Sequence, residues 1–353
     1  MTIRAFKYVS PFLIYAGALH SFFSTGWVVF IPIIYAWILV PLAELFAAPD
    51  EGNLSAAEEE MVRKDKIYDI LLYLVVPFQY AALAAFLFTI YTMQHSLVDI
   101  VGKTMVMGFL CGTFGINVGH ELGHRTNKFE LFLSKLLLLT SLYMHFFIEH
   151  NKGHHKNVAT PHDPSSARMG ESVYAFYLRS IFYSYISAWR IANRETSKKT
   201  KNIISLKNEM IRYSIIQIFF LVFIFAMFGW MPLLLFIMAA INGILLLETV
   251  NYIEHYGLQR KQVEDGKYER ALPEHSWNSN HVIGRVMLFE LSRHSDHHYL
   301  ASRKYQVLRH HENSPQMPTG YPGMMLLSLL PPAWFTVMDK KLIQLKNVTK
   351  SKM

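Results

Sequence analysis

Four long stretches of this 353-residue chain contain no Asp, Glu, Lys or Arg, and they constrain its fold more than any other feature. The stretches run over residues 8–43, 70–98, 104–120 and 213–247. A transmembrane helix needs roughly 20 predominantly apolar residues, because the hydrocarbon core of a bilayer is about 30 Å thick. The first and last stretches are each long enough for two such helices. The sequence therefore predicts an all-α integral membrane protein.

Two breaks divide the longest stretches. Residues 24–27 (Ser-Thr-Gly-Trp) interrupt the first and residues 229–232 (Gly-Trp-Met-Pro) the last, since Gly and Pro favour chain reversals and Trp favours the membrane interface. We therefore predict six transmembrane helices in three hairpins within a single domain, 1–353. Their predicted bounds are about 8–24, 27–46, 69–93, 100–120, 213–229 and 232–254. The apolar stretches 131–148 and 324–338 contain a Lys and a Pro pair respectively, and are predicted to lie at the interface.

The polar parts of the chain predict its orientation. Residues 121–212 and 255–353 carry more Lys and Arg than Asp and Glu, and positively charged loops stay on the cytoplasmic side. These regions are expected to form a cytoplasmic helical cap. The net charge of +8 then reflects orientation and attraction to anionic membrane lipid, and no motif indicates binding to nucleic acid. The N-terminus has no small-residue cleavage pattern, so the first span is predicted to be a retained anchor. The single cysteine, Cys111, excludes a disulfide framework and a thiolate metal cluster.

Nine histidines form four groups in or at the edge of the predicted cap. They are His120 and His124; His150, His154 and His155; His255; and His294, His297 and His298. Separations of three or four residues place two imidazoles on one face of a helix, and imidazole is the commonest metal-binding side chain. One ion takes about four to six ligands, so nine imidazoles predict two metal ions. The isolated His20, His95 and His145 are expected to be packing or surface residues.

Polar residues next to these histidines are predicted to accept hydrogen bonds from the outer ring nitrogens, a contact that fixes a metal-bound imidazole. They are Glu121, Glu149, Glu248, Asn251, Glu254 and Asp296. His162 is a further candidate for a contact near the site. A nitrogen-rich site disfavours Mg and Ca and leaves Fe, Zn, Cu, Ni or Co open. Its position under apolar helices indicates a substrate dissolved in the bilayer, and oxidation of an unactivated chain favours iron, which handles dioxygen.

Longer strings around these histidines resemble the membrane alkane 1-monooxygenases, a branch of the integral-membrane di-iron desaturases and hydroxylases. The matching strings lie at 119–125 (GHELGHR), 146–155 (FFIEHNKGHH), 251–258 (NYIEHYGL), 275–281 (HSWNSNH) and 291–298 (LSRHSDHH). The similarity is close over about 67–340, whereas the first hairpin matches by hydropathy alone. Two strings depart from the family pattern, at 162–164 (His-Asp-Pro) and at 299–301, and neither departure replaces a candidate ligand.

The resemblance implies what the residues alone leave open. It implies two irons bound by the nine histidines, and insertion of one atom of dioxygen into the terminal C–H bond of a medium or long n-alkane. It also implies rubredoxin as the electron donor, reduced by an NAD(P)H-dependent rubredoxin reductase, and a place in the cytoplasmic membrane of a bacterium. A separate donor is expected from the sequence too, because the chain has no Gly-rich dinucleotide loop.

Two further sets of residues are candidates for this function. An alkane offers only apolar contacts, so shape must measure its length. The resemblance places such a gate on the second span, where Ala36 and Trp37 are the candidates. Cations of the basic cap are candidates for docking an acidic electron donor. They are Lys156, Arg303, Lys304 and Arg309.

Other functions are open alternatives. A related hydroxylase or desaturase acting on an aryl-methyl or fatty-acyl substrate would use the same histidines, but an acyl group needs a polar or cationic clamp at the cavity mouth. A membrane metal transporter is an alternative from a different class. Transporters place ionisable ligands near the bilayer midplane, whereas these histidines lie at the ends of the predicted spans.

Overall fold

Helices account for nearly all of the regular structure. The computed structural model describes residues 3–200 and 202–351. Within them, five helices are long and apolar enough to cross a membrane: Gly26–Phe46, Ile67–Thr92, Leu97–Gly123, Glu209–Phe228 and Trp230–His255. An antiparallel pair, Gln262–Glu264 with Lys267–Tyr268, is the only sheet in these ranges. The prediction of a helical chain with membrane-spanning helices is confirmed.

The remaining helices lie in the cap, in the N-terminal segment and in the connector between the first two long helices. The longer ones are Phe12–Phe23, Ala56–Lys64, Lys128–Leu139, Val173–Ser197, Val282–Met287, His294–Tyr299, Tyr321–Ser328 and Pro331–Ser351. Short helical turns lie at Ile3–Phe6, Lys7–Val9, Phe146–Glu149, His155–Asn157, Pro273–His275 and Tyr305–Val307. Neither of the two stretches predicted to lie at the interface, 131–148 and 324–338, forms one continuous helix.

The predicted first span does not form a long helix. Residues 8–24 fall on the 12-residue helix Phe12–Phe23, which begins after Pro11. At 1.5 Å per residue such a helix is about 18 Å long, shorter than the hydrocarbon core of about 30 Å. The other five predicted spans coincide with the five long helices to within four residues at either end. The six-span arrangement in three hairpins and the cytoplasmic side of the cap stay predictions.

Two long helices pack closely at the centre of the bundle. Leu97–Gly123 and Trp230–His255 meet at Gly243, where an added Cβ atom would lie 2.6 Å from the Cβ atom of Cys111. Glycine is required at this crossing because a side chain would push the two backbones apart. The first of these helices changes at the same place to a π-helical turn, Cys111–Ile116, and such turns often accompany functional sites. Both helices carry candidate ligands near their cap-side ends.

The last of the five long helices is longer than the hydrocarbon core of a bilayer is thick. Trp230–His255 has 26 residues, so it is about 39 Å long, compared with about 30 Å for the hydrocarbon core. Trp230 is exposed and follows the turn at Gly229, as expected for an aromatic residue at one membrane interface. His255 is the last residue of this helix, at the opposite end from Trp230.

A buried arginine joins the cap to the connector between the first two long spans. Arg293 donates hydrogen bonds to the backbone carbonyls of Asp50 at 3.0 Å, Gly52 at 2.9 Å and Leu308 at 2.8 Å. Carbonyls that receive a guanidinium in this way are held at fixed positions, because each charge-assisted hydrogen bond is stronger than a neutral one. Since Arg293 directly precedes His294, the network holds the last histidine helix against the end of the bundle.

Candidate metal centre

The nine histidines converge from separate parts of the chain into two adjacent groups. In each group every residue offers one ring nitrogen, and these nitrogens lie within 4.8 Å of one another. The five-histidine group consists of His120, His124, His150, His155 and His297, and the four-histidine group of His154, His255, His294 and His298. The groups touch, since the ring centroids of His155 and His298 are 4.4 Å apart.

A π-helical turn divides the second histidine string between the groups. His150 and His154 are four residues apart, which on a regular α-helix would place them on one face. Residues His150–His154 instead form a π turn, in which the N–H of His155 donates to the carbonyl of His150. Residues five apart therefore align, and the Nε2 atoms of His150 and His155 lie 3.0 Å apart. His154 points away from them into the four-histidine group.

Ring nitrogens in both groups face one another at distances typical of ligands on a shared ion. The Nε2 atom of His297 lies 2.9 Å from that of His120 and 3.2 Å from that of His155. In the four-histidine group, the Nε2 atoms of His255 and His294 are 3.2 Å apart. Nitrogens about 2.0–2.1 Å from one ion are separated by roughly 2.8–3.4 Å when the angle between them at the ion is between 90° and the tetrahedral value.

The protonation of these rings also fits metal binding. Burial, and then neighbouring imidazoles, lower the pKa of several rings well below the ordinary histidine value: His124, His150, His155, His297 and His298. A neutral imidazole has one nitrogen lone pair, and two lone pairs that face each other repel unless a proton or a cation lies between them. Because the low pKa keeps the rings neutral, each ring has a lone pair available to a metal ion of the kind that imidazole binds.

Asp163 binds a histidine of the four-histidine group. Its Oδ2 atom lies 2.9 Å from Nδ1 of His154 and accepts a hydrogen bond from the Ser166 hydroxyl at 2.6 Å. Burial lowers the pKa of His154, but the charge and hydrogen bond of Asp163 outweigh burial and raise that pKa overall. Such a contact fixes the ring and makes its other nitrogen a stronger ligand. This contact was not predicted; the only hint was that Asp163 lies in a string that departs from the family pattern.

Glu254 approaches the four-histidine group from the side of the proposed ion. Its Oε2 atom is 3.2 Å from Nε2 of His294, the same nitrogen that faces His255. Its Oε1 atom accepts a hydrogen bond from the Tyr321 hydroxyl at 2.8 Å, which fixes the carboxylate. The sequence predicted a contact with the outer nitrogen of a histidine. The structure instead places this carboxylate beside the Nε2 atoms that face one another within the group.

The other predicted carboxylates hold the surrounding segments in place. Asp296 accepts from Arg303, His311 and the backbone of Arg309; Glu121 from Arg125 and the backbone of Tyr305; and Glu248 from Tyr143, Ser180 and Asn251. Burial and the nearby Asp163 raise the pKa of Glu149, so this acid favours its neutral form. Within residues 3–200 and 202–351, the Nδ1 atoms of His294, His297 and His298 have no hydrogen-bond partner.

Two histidines that were not predicted ligands lie outside both groups. His145 is buried between the rings of Tyr143 and Tyr185, and burial lowers its pKa to about 4. It therefore packs as a neutral ring. His162 is exposed and contacts the ring of Tyr268 with 6.0 Å between centroids.

A narrow apolar cavity opens beside the histidines. His120, His150 and His294 form part of its wall, together with apolar residues of three long helices and the cap, and both predicted gate residues, Ala36 and Trp37, line it. The volume of the cavity is only about 50 Å³. A cavity of this shape suits an unbranched apolar chain better than a bulky or polar group.

The four cations predicted to dock an electron donor differ in their surroundings. Lys156 is exposed and directly follows a ligand of the five-histidine group. The other three form ion pairs within the chain: Arg303 with Asp296, Lys304 with Asp69 and Arg309 with Glu59. An ion pair inside the chain leaves less of a cation's charge for an acidic partner.

The sequence of this chain is similar to those of several known proteins. A sequence model of the fatty acid desaturase family matches residues 95–328. An alkane 1-monooxygenase of Pseudomonas putida is 39% identical over 332 residues, which cover 94% of this chain and 82% of that protein. An alkane 1-monooxygenase of Ectopseudomonas oleovorans is 39% identical over 322 residues, which cover 91% and 80%. The hydroxylase component of a xylene/toluene monooxygenase of Pseudomonas putida is 26% identical over 242 residues, which cover 69% and 64%.

Proposed function

The chain belongs to the alkane 1-monooxygenases of the fatty acid desaturase family, and on that premise we propose that it hydroxylates the terminal carbon of medium or long n-alkanes. The proposed reaction uses dioxygen, two electrons and two protons, places one oxygen atom in the 1-alkanol and releases the other as water. Two irons are the proposed cofactor, held by the five-histidine and four-histidine groups. The observation that carries the proposal is that both groups border one narrow apolar cavity.

Bound iron would supply the chemistry that reduces dioxygen and oxidises the C–H bond. The chain's own residues do the rest. Apolar walls from three helices exclude water, and each buried methylene adds about 0.8 kcal/mol of binding free energy, so the chain is held along its length. Because the cavity is narrow and its wall includes His120, His150 and His294, we propose that a chain enters end first and presents its terminal carbon to the histidines. Asn117 and Asn251 line the cavity near the histidines and offer polar atoms for the hydroxyl group of the product.

We propose Trp37 as the residue that limits chain length. It lines the cavity and packs between the two largest apolar clusters of the chain, whereas its neighbour Ala36 is small and buried. Replacing Trp37 with Ala is expected to lengthen the longest alkanol formed from a mixed alkane series, and Ala36→Trp to shorten it. Gas chromatography of the products measures both. Identical product distributions in the two variants would move the gate elsewhere in the cavity.

The proposed electron donor is rubredoxin, reduced by its NAD(P)H-dependent reductase. Of the nine histidines in the two groups, only His124 and His155 are partly exposed, and both belong to the five-histidine group. Electrons are therefore proposed to enter at that group, with the exposed Lys156 as the foremost docking contact. Arg303, Lys304 and Arg309 are weaker candidates, because each forms an ion pair that neutralises part of its charge.

One relative favours a second candidate substrate. The 26% identical hydroxylase component is part of a xylene/toluene monooxygenase, so oxidation of an aryl-methyl group at the same histidines is the alternative. A fatty-acyl substrate is disfavoured by the cavity, because its lining contains no Lys or Arg to hold a carboxylate or phosphate headgroup.

A product assay separates these functions. Membranes containing the chain are supplied with rubredoxin, its reductase, NADH and either dodecane or p-xylene. The proposal predicts 1-dodecanol as the main product and little conversion of the xylene. Xylene oxidation without alkanol formation would replace the proposed substrate, and no product from either would overturn the assignment.

A further inference from the structure

We propose that a basic cleft at the start of the Glu209–Phe228 span binds the headgroup of an anionic phospholipid. The cleft lies outside the metal centre, where this span meets the end of the Val173–Ser197 helix, and its volume is about 370 Å³. Its charged lining consists of four cations and two acids: Lys152, Lys199, Lys207, Arg212, Glu195 and Glu209. The cleft therefore carries two positive charges more than negative ones.

The two acids leave two of these cations free. Glu195 pairs with Lys152 at 2.7 Å, and Glu209 pairs with Arg212 at 3.3 Å. Lys199 and Lys207 are exposed, and neither has an ion-pair partner within the part of the chain that the structure describes. Their ammonium groups are available to an outside anion.

Below the cleft, the same span presents an apolar surface. Ile215, Ile216 and Phe219 follow Arg212 at intervals of three, four and seven residues, so they lie on one face of the helix. Phe219 is 72% exposed, and the two isoleucines are exposed as well. A cation above an apolar stripe matches a phospholipid, whose phosphate stands above its acyl chains, and a free anion would use only the upper half of this surface.

The loop that leads into the span has the same two-sided character. Between Lys199 and Lys207 it exposes Ile204 at 77% and Leu206 at 67%. Large apolar residues between cations are typical of segments at the boundary between headgroups and acyl chains. This loop is at the cap-side end of the span, because Glu209–Phe228 and Trp230–His255 run antiparallel through the turn at Gly229. The cleft is thus at the level of the headgroups.

Native mass spectrometry of the detergent-purified chain tests the proposal with dioleoylphosphatidylglycerol and dioleoylphosphatidylcholine. The variant Lys199→Gln/Lys207→Gln/Arg212→Gln should bind phosphatidylglycerol about 100-fold more weakly, taking a factor of about five for each basic residue near an anionic surface. The matched control Lys64→Gln/Lys261→Gln/Lys267→Gln loses the same charge elsewhere and should bind as the unmodified chain does. Phosphatidylcholine binding should be equal in all three proteins.

Equal phosphatidylglycerol binding by both variants would overturn the proposal. A second measurement compares the thermal stability of the protein with inorganic phosphate and with phosphatidylglycerol. Equal stabilisation by the two would also overturn the proposal, because the site would then recognise a free anion. If the triple variant does not fold, Lys199→Gln/Lys207→Gln replaces it, since these exposed side chains form no ion pair with described residues. The expected loss is then about 25-fold by the same reasoning, and undiminished binding would again overturn the proposal.

Discussion

The five-histidine group and the four-histidine group are built from the same kind of side chain but differ in exposure and in charge. The five-histidine group contains the partly exposed His124 and His155, whereas every member of the four-histidine group is buried. The four-histidine group has two carboxylates in contact with its rings, Asp163 at His154 and Glu254 at His294. The two groups therefore differ in the negative charge that they would place near a bound ion.

The difference suggests a division of labour between the proposed irons. Five neutral imidazoles near the surface offer a site that electrons can reach and that favours the lower positive charge of a reduced ion. Four imidazoles with two carboxylates stabilise a higher charge and exclude solvent, because a buried negative charge is favourable beside a metal cation. This difference supports the proposals that electrons enter at the five-histidine group and that the four-histidine group holds its ion more strongly.

Removing one ligand from each group is expected to have the largest effect. His255→Ala leaves three imidazoles in the four-histidine group, whereas His297→Ala leaves four in the five-histidine group. Both variants should lose alkanol formation, but His255→Ala should lose more iron, falling from about two ions per chain to about one, since metal affinity depends on ligand number. Iron is measured by plasma mass spectrometry and product by gas chromatography.

His145→Ala is the control for these two variants, since His145 is a buried histidine outside both groups. Correctly inserted, it should keep both irons and most of the activity. Equal iron contents in His255→Ala and His297→Ala would remove the asymmetry between the groups. Full activity in His255→Ala would remove His255 from the site.

Asp163→Asn is expected to have the next largest effect, because it removes the charge that orients His154 while keeping the size of the side chain. Loss of such an outer contact typically costs about 10- to 100-fold in metal affinity. The loss should fall on one iron only, so a metal titration of the variant should show one weakened and one unchanged site. The matched control is the exposed neighbour His162, whose replacement by Ala should leave both sites unchanged. Two weakened sites, or none, would contradict the assignment of Asp163 to one group.

The smallest expected effect is a difference between the two groups in the rate at which a chelator removes their iron. A strong chelator added to the intact protein is expected to extract iron in two phases of equal amplitude, the faster from the five-histidine group because His124 and His155 reach the surface. In His255→Ala the slow phase should be missing. A single phase in the intact protein would show that the groups do not differ in access.

Sequence spacing predicted that the histidines come together, and it predicted part of their division into two groups. His120 and His124 share a group, as their separation of four residues on a regular helix predicts. His150 and His154 have the same separation and are divided between the groups, because hydrogen bonding in this turn is π-helical. Such a turn depends on tertiary packing and has no distinct residue pattern. Asp163 was missed for a related reason, since it lies nine residues from the ring that it contacts.

Long helices occur where hydropathy predicted spans, except at the N-terminus. Five helices of the structure coincide with predicted spans, because long uncharged runs permit few other folds. The first predicted span is interrupted before Phe12, so its helix has 12 residues. A count of apolar residues does not register that a proline at residue 11 ends one helical turn and starts the next.

Two different irons held by the nine histidines should be distinguishable by Mössbauer spectroscopy of the protein loaded with the iron isotope of mass 57. We expect two quadrupole doublets of equal area, one for each group, and in Asp163→Asn a change in the parameters of only one of them. A single doublet with one iron per chain, while all nine histidines are intact, would contradict this expectation.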